Sequence, residues 1–156
     1  MRKKINEKGE IDELDRRILS ILQEDCRLSF RKIAEKMRIS CVMASSRIKN
    51  LEGRGIVKGY TAILDPVKLG YELTAVIFIQ TDGRYLVDLE NELSQIANVI
   101  VLYEITGDFD IVAVARVKDV GSLNTLIKSL LLAPHIKKTM TSISLSIVKE
   151  DFKIKI

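Results

Sequence analysis

A chain of 156 residues allows one large domain or two small ones, and a hydrophobic fraction of 47% is enough to form buried cores. No apolar run approaches the roughly 18 residues of a membrane span, and the charged start MRKKINEKGE lacks a signal-peptide core, so we expect a cytoplasmic protein without membrane contact. Residues 1–62 carry a net charge of +6, and residues 63–156 carry −2. A basic first half fits a part that meets a polyanion, although a lysine-rich solvated surface would give the same charge.

The residue types that usually carry catalysis or bind metals are sparse. Cys26 and Cys41 lack a C-x-x-C pattern, so they support neither a disulfide nor a zinc site, and we expect both to be buried or half-buried. The single histidine, His135, is expected in a solvated loop before the last strand, and no serine or cysteine has an identifiable base partner. We therefore predict no catalytic residue, no metal and no cofactor, and a protein that is not an enzyme.

Apolar residues recur at three- and four-residue spacing in three stretches of residues 11–53, which predicts three amphipathic helices. The first begins after Asp12, a typical N-cap, places Asp15 near the positive helix end and ends near Glu24. The other boundary residues are Ser29 and Ser40, which can cap the second and third helices, and Gly53 or Gly55, which can end the third. A short helix that supports a second one with a polar outer side is the geometry of a helix-turn-helix.

The rest of the chain alternates strand and helix patterns. Residues 56–64 are rich in β-branched and aromatic types and predict a strand, which Asp65-Pro66 interrupts. The later predicted elements are strands at 73–80, 99–105, 110–117 and 141–147 and helices at 86–96 and 123–131. The order β-α-β-β-α-β is the ferredoxin-like unit, in which two helices cover one face of a four-stranded antiparallel sheet. The apolar second face would stay bare, so we predict a homodimer formed through it.

These observations predict an α+β protein with two domains. Residues 1–62 form a winged helix-turn-helix DNA-binding domain, and residues 63–72 form a hinge. Residues 73–156 form a ferredoxin-like βαββαβ domain for dimerisation, and the resemblance described next implies effector binding for the same domain.

Three segments resemble the leucine-responsive/asparagine (Lrp/AsnC, or feast/famine) family of transcriptional regulators. IDELDRRILSILQEDCRLSFRKIAEKMRIS looks like that family's first two helices, and SRIKNLEGRGIVKGYTAILDPVKLGY looks like its recognition helix, following strand and hinge. EITGDFDIVAVARV resembles the hairpin of its effector domain. The resemblance implies a dimer that assembles into tetramers or octamers, binds short pseudo-palindromic double-stranded DNA and senses an amino acid. The stretch from Cys41 to Ala44 departs from the small polar residues that many members carry there.

The DNA-contact prediction centres on the third helix. Arg47 is the first choice, because a guanidinium can bind guanine O6 and N7 together, although an ion pair within the chain is the alternative. Val42 and Met43 could touch a thymine methyl group, and Lys49 could contact a phosphate. The full predicted set is Ser29, Arg31, Lys32, Ser40, Val42, Met43, Ser45, Ser46, Arg47 and Lys49.

The effector prediction rests on the hairpin around Gly107 and on the resemblance. Turn amides could bind a ligand carboxylate and an acidic side chain its ammonium group, although Gly-Asp-Phe-Asp is also an ordinary turn that Asp110 could close. By resemblance the site extends to the start of the fourth strand. The full predicted set is Leu102, Tyr103, Glu104, Ile105, Thr106, Gly107, Asp108, Asp110, Thr139, Met140 and Thr141.

Three other functions are alternatives to that of a sequence-specific regulator. Ferredoxin-like domains also host enzymes, but the residues for catalysis are missing. A stand-alone effector-binding protein would not need the three helices. An effector-independent protein that coats chromosomal DNA stays open as the alternative function, because a basic first half and self-association would suit it.

Overall fold

A computed structural model of the protein describes residues 10–156. The chain divides into two compact units. The first, here called the helical unit, comprises residues 10–62 of the described chain together with Asp151–Ile156, and the second, the sheet unit, comprises Ile63–Glu150. The last six residues, which the sequence analysis places in the second domain, thus group with the helical unit.

The helical unit contains three helices: α1 (Glu13–Glu24), α2 (Phe30–Met37) and α3 (Cys41–Gly53). Their apolar residues face one another at helical spacing, as the sequence predicts. The buried side chains that join the three helices are Ile18, Leu19, Ile33, Ala34, Met37, Ala44, Ile48 and Leu51. Because one small core contains residues of all three helices, a change in α1 can alter the placement of α3.

The start of each helix is set by its N-cap residue. The side chains of Asp12, Ser29 and Ser40 each accept a hydrogen bond from the amide three residues later, which the first helical turn leaves without a partner. Asp12 and Asp15 form a reciprocal capping box. The turn between α2 and α3 is tight because Arg38 adopts a left-handed conformation, with φ of 56°.

Residues 56–64 form no strand in the described chain, contrary to the prediction. The amide of Val57 still bonds to the carbonyl of Leu51, but Ile63 is 92% exposed. A β-rich composition produces a strand only where a neighbouring backbone supplies hydrogen bonds, and no described segment of the single chain does so here. The segment expected to form the strand of the wing therefore has no regular secondary structure and no partner strand in the described chain.

The sheet unit has the predicted order of elements. Its strands and helices are β1 (Leu73–Thr81), α4 (Leu86–Ser94), β2 (Val99–Glu104), β3 (Ile111–Val117), α5 (Val120–Leu132) and β4 (Ile136–Ile143). The four strands form one antiparallel sheet in the spatial order β2-β3-β1-β4. The two helical stripes form α4 and α5, and the architecture is the predicted α+β, ferredoxin-like one.

The two central strands alternate in burial, which separates the faces of the sheet. On the covered face the apolar residues of β1 and β3 pack with Leu89 and Leu93 of α4 and with Leu123, Leu126 and Leu130 of α5. We call the opposite side the open face; its apolar residues are Val76, Phe78, Val101, Tyr103, Val112, Val114 and Met140, and its polar residues are Thr74, Gln80, Arg116, Lys138 and Ser142. The described chain places no helix on that face, so apolar surface is left in contact with water.

Strand β4 begins at residue 136, not at the predicted residue 141. It runs alongside β1 from Ile136 opposite Thr81 to Ile143 opposite Ala75. The last ladder bond joins the amide of Ser144 to the carbonyl of Thr74 at 2.8 Å. Because β1 begins at residue 73, no strand of the described chain lies beside the residues after 144; the chain bends at Leu145 and continues without regular secondary structure.

No helix within residues 10–156 is long and apolar enough to cross a bilayer.

His135 lies just before β4, as predicted, but it is half-buried and its ring stacks on Tyr85 with centroids 3.7 Å apart. The expectation that it is solvated is therefore wrong.

Candidate nucleic-acid interface and effector site

The outward side of α3 is polar, exposed and shallowly concave. Val42 is 81% exposed, Ser46 and Lys49 are exposed, and Ser45 is half-buried. Most of these side chains, together with Phe30 of α2, line a depression of about 540 Å³; its residues are Phe30, Cys41, Val42, Ser45, Ser46 and Lys49. The serine hydroxyls and the Val42 side chain on the outward side of α3 can contact base edges in a DNA groove, and the Lys49 ammonium group can contact a phosphate.

The first turn of α2 presents further cations. Ser29 is the N-cap and accepts a hydrogen bond from the amide of Lys32 at 3.3 Å. Arg31 and Lys32 are exposed, although Arg31 is paired with Glu35 at 3.1 Å. An exposed i, i+4 pair contributes little and opens at small cost, so both cations are accessible to a polyanion.

Arg47, the first choice for a base contact, is bound to α1 instead. Its Nη1 atom lies 2.5 Å from the carboxylate of Asp12 and 3.0 Å from that of Asp15. Its side chain is 31% exposed, and Asp15 is only 4% exposed. The ion pair that was the alternative for Arg47 is therefore present in the free protein, and a base contact stays a prediction that requires this pair to open.

The electrostatics of this cluster favour the charged forms of Asp12 and Arg47. Burial alone would raise the pKa of Asp12, but hydrogen bonds from the backbone of Asp15 and from Arg47 outweigh it and hold the pKa below its usual value. Burial alone would lower the pKa of Arg47, and the two carboxylates raise it instead. The same two acidic residues cap α1, so one cluster sets the N-terminal end of α1 and links it to the middle of α3.

The end of α3 is connected to the segment that follows it. The hydroxyl of Tyr60 donates to the Glu52 carboxylate at 2.9 Å. Burial and this bond raise the pKa of Tyr60 to about 12. Sequence reasoning missed this contact because it joins residues on different local elements. The nearby cavity of about 340 Å³ is lined mainly by apolar side chains: Leu22, Cys26, Leu28, Ser29, Phe30, Ile33, Ile48, Glu52 and Tyr60.

The predicted effector hairpin lies between β2 and β3. The amide of Ile105 donates to the carbonyl of Asp110 at 2.8 Å, which closes the hairpin. The turn residues Thr106, Gly107 and Asp108 are exposed, and Gly107 has φ of 119°, which residues with a side chain rarely adopt. The turn thus presents backbone and one free carboxylate to solvent.

Asp110 has a structural role in the described chain. Its Oδ2 atom accepts the amide of Thr81 at 2.7 Å, and its own amide donates to the carbonyl of Ile79 at 3.0 Å. The hydroxyl of Thr81 donates to the carbonyl of His135 at 2.7 Å. These bonds tie the hairpin and the chain before β4 to the end of β1, which favours the alternative of a turn-closing residue for Asp110.

The predicted strand residues of the effector set divide between the two faces. Tyr103 and Met140 share one cross-strand row with Val112 and Phe78 on the open face. Leu102 packs against the covered core, and the register places Glu104, Thr139 and Thr141 on that same side of the sheet. A single ligand therefore could not contact all of them through side chains of one chain.

Two aromatic residues that sequence reasoning omitted lie beside Tyr103 and Met140. The ring of Phe109 contacts that of Phe78 with centroids 5.6 Å apart, and Nζ of Lys138 lies 5.4 Å from the Phe109 centroid. The unusual Phe between two Asp residues was the available signal for Phe109. No signal marked Phe78 or Lys138, because only the strand register brings them together.

The remaining candidates give no chemical site. Cys26 and Cys41 are both exposed, so the expectation that they are buried is wrong: each lies at a helix boundary instead of on an apolar stripe. Within the described part of the chain, no group of three His, Cys, Asp or Glu side chains could hold a metal ion.

Replacing Arg47 with Met should destabilise the helical unit by about 1–3 kcal/mol, because the largely buried Asp15 carboxylate loses a charged partner. Urea unfolding of both proteins would measure the difference. Lys49→Met on the exposed side of α3 is the matched control and should change stability by less than about 0.5 kcal/mol. Equal stability of the Arg47 variant and wild type would show that the ion pair contributes nothing.

Two family models together match most of the chain. The AsnC-type helix-turn-helix domain matches residues 11–52. The Lrp/AsnC ligand binding domain matches residues 74–154.

Relatives and solved structures of similar length agree with these matches. An uncharacterised HTH-type transcriptional regulator of Pyrococcus furiosus is 42% identical over 145 residues, which is 93% of this chain and 98% of that protein. The HTH-type transcriptional regulator FL11 of Pyrococcus abyssi is 32% identical over 94% of this chain and 97% of its own.

Among solved structures, an AsnC family transcriptional regulator from Agrobacterium tumefaciens has a TM-score of 0.85 at 27% identity, covering 92% of this chain and 96% of that one. A transcriptional regulator of Neisseria meningitidis in complex with L-Met has a TM-score of 0.87 at 25% identity, covering 94% and 97%. With a helix-turn-helix whose outer helix is polar, followed by a four-stranded sheet unit, the chain belongs to the Lrp/AsnC family of DNA-binding transcriptional regulators.

Proposed function

We propose that the protein is a sequence-specific regulator that reads duplex DNA with α3 and responds to an amino acid bound near the hairpin between β2 and β3. We further propose that it acts in the cytoplasm, where a bacterial or archaeal regulator meets chromosomal DNA. The observation that carries the DNA part is the outward side of α3, where exposed Ser46 and Lys49 and half-buried Ser45 surround a shallow depression. Hydroxyl groups can bond to base edges of several kinds, and the ammonium group can neutralise a phosphate.

Within that surface the roles differ. Val42 and Met43 are exposed at the start of α3 and can contact a thymine methyl group. Arg31 and Lys32 follow the Ser29 N-cap in the first turn of α2 and suit backbone phosphates, as do the free amides after the Ser40 cap. Arg47 orients α3 through Asp12 and Asp15, so sequence reading rests mainly on the shorter side chains.

Lys49→Ala should weaken binding to operator and random DNA alike, because a phosphate contact conveys no sequence. The slope of log affinity against log salt concentration should become shallower by about 1. Lys118→Ala, an exposed lysine of the sheet unit, is the control and should leave the slope unchanged. An unchanged slope for Lys49→Ala would remove this residue from the interface.

The same titrations separate a specific regulator from a protein that coats DNA. A regulator should bind its own promoter at least about 10³-fold more tightly than random duplex at one salt concentration. Comparable affinities for the two DNAs would support the coating alternative.

The open face supports a homodimer. Val76, Phe78, Val112 and Val114 are only half-covered, although they lie in the two central strands. Arg116 shares this face, and its buried Nε atom finds no acceptor among the residues that the structure describes. A second copy that packs its own open face there would exclude water from the valines and could supply the missing acceptor. Two such dimers would give the tetramer, and four would give the octamer, that the sequence resemblance implies.

Val114→Asp should convert a dimer into a monomer, since it places a carboxylate at the centre of the apolar surface. Sedimentation velocity at micromolar concentration would show the change. Leu132→Asp alters an apolar residue of α5 that is 84% exposed, away from the open face, and should remain dimeric. A monomeric wild type would contradict the proposed dimer outright.

The effector part of the proposal rests on the exposed turn and on relatives. The turn from Thr106 to Asp108 offers amides for a ligand carboxylate and the Asp108 carboxylate for an ammonium group. Tyr103, Phe109 and Met140 supply apolar surface close to its base. The Neisseria meningitidis regulator and the feast or famine regulatory protein from M. tuberculosis are both described in complex with L-methionine. An amino acid held between dimers would favour one assembly and so change how many DNA-binding helices are available.

Calorimetric titration with the twenty amino acids, L-methionine first, should detect one that binds. Asp108→Asn should weaken that binding about tenfold or more, because an ammonium group loses its charged partner. Asp88→Asn, at an exposed residue of α4, is the matched control and should leave the binding unchanged. If none of the twenty binds at millimolar concentration, the regulator works without an amino-acid effector.

A further inference from the structure

Phe30, the first residue of α2, has an exposure that the core of the helical unit does not explain. It lies three and seven positions before the buried residues Ile33 and Met37, a spacing that would place it on the inward side of α2. Phe30 is nevertheless 39% exposed, and its ring lines the depression on the outward side of α3 as well as the apolar cavity of the helical unit. Part of the ring is thus in contact with water beside α3, and a ligand that covers it would be favoured.

The residues of α3 that line the depression form one stripe along the helix. Ser45, Ser46 and Lys49 follow Val42 by three, four and seven positions, so all four lie on one side of α3. Lys49 is about 10 Å farther along the helix axis than Val42. The depression therefore has an apolar end at the start of α3 and a hydroxyl-rich, cationic end in the following turns.

Three side chains form the apolar end: Phe30, Cys41 and Val42. We call this set the methyl pocket. All three are exposed, and Cys41 and Val42 are the first two residues of α3 after the Ser40 N-cap. A thiol behaves as a small apolar group, so the pocket contains no strong hydrogen-bonding side chain.

The two ends of the depression match two chemical groups of a DNA duplex. In a helix-turn-helix, the first residues of the second helix approach base edges in the major groove. Thymine is the base that presents a methyl group there, and apolar side chains contact this group. At the other end, the Lys49 ammonium group complements a negatively charged phosphate.

We propose that the methyl pocket binds the C5-methyl group of one thymine in each half-site, so that Phe30 and Val42 select thymine at that position. The inference rests on the proposed function, in which α3 reads the major groove. The edges of the other bases present only hydrogen-bond donors and acceptors in that groove. The pocket offers such groups no strong partner, so another base at this position is disfavoured.

The test uses full-length protein and a DNA site that the wild type has selected from a random-sequence pool. Each thymine of the site is replaced in turn by deoxyuridine, which pairs with adenine in the same way and lacks only the C5-methyl group. At one thymine of each half-site the replacement should weaken wild-type binding about 3–10-fold, because the burial of one apolar carbon is lost. Thymines in the flanking DNA should change the affinity by less than about 1.5-fold.

Two variants then assign this effect to the pocket. Val42→Ser removes two methyl groups from an exposed residue, and Phe30→Gln replaces the ring with a polar chain. In each, the ratio of thymine to deoxyuridine affinity at the sensitive position should fall below about 1.5. A variant that only destabilises the helical unit lowers both affinities alike and leaves this ratio unchanged. Val87→Ser, at an exposed valine of α4, is the matched control and should keep the wild-type ratio.

Phe30 also lines the apolar cavity, so Phe30→Leu is measured if Phe30→Gln does not fold. A shorter apolar side chain leaves the methyl group partly uncovered, and the ratio should fall to about half of the wild-type value or less.

Two results would overturn the inference. If no thymine of the selected site is sensitive to deoxyuridine, the depression does not bind a methyl group of DNA and is left to a protein partner. If Val42→Ser or the Phe30 variant keeps the wild-type ratio, the effect of deoxyuridine arises in the DNA itself. Failure of the proposed function looks different, because a wild type that selects no sequence from the pool is not a specific reader of DNA.

Discussion

The sheet has helices on only one of its faces, and most other properties of the sheet unit follow from this constraint. The burial of the side chains alternates along β1 and β3, because successive residues of a strand point to opposite faces. One set of apolar side chains packs under α4 and α5, and the other set, which includes Val76 and Val114, stays half-covered. The unit thus has a core on its covered face but exposes an apolar surface on the other, where contact with water is unfavourable. Self-association is the simplest way to cover that surface.

In the helical unit, the corresponding constraint is the cluster of Arg47 with Asp12 and Asp15. Three requirements meet there: the cap of α1, the nearly complete burial of Asp15, and the placement of α3. A guanidinium can serve two carboxylates at once because it presents several donors in one plane. The arginine that looks best suited to read guanine is thereby used inside the protein. Under the proposed function, the smaller side chains of α3 then read most of the DNA sequence, and short side chains demand close approach to the groove.

The sequence by itself determined the local structure: helix starts at Asp12, Ser29 and Ser40, the order of the sheet elements, and the family. Caps and apolar periodicity act within a few residues, so they can be read along the chain. Tertiary structure decided the rest, because those outcomes depend on partners distant in sequence. The 56–64 segment has strand composition but no neighbour, β4 begins early because β1 sets its partners, and Arg47 finds two carboxylates on another helix. Of the candidate site, the outward side of α3 was predictable from helical spacing. The division of the predicted effector residues between two faces came only from the strand register.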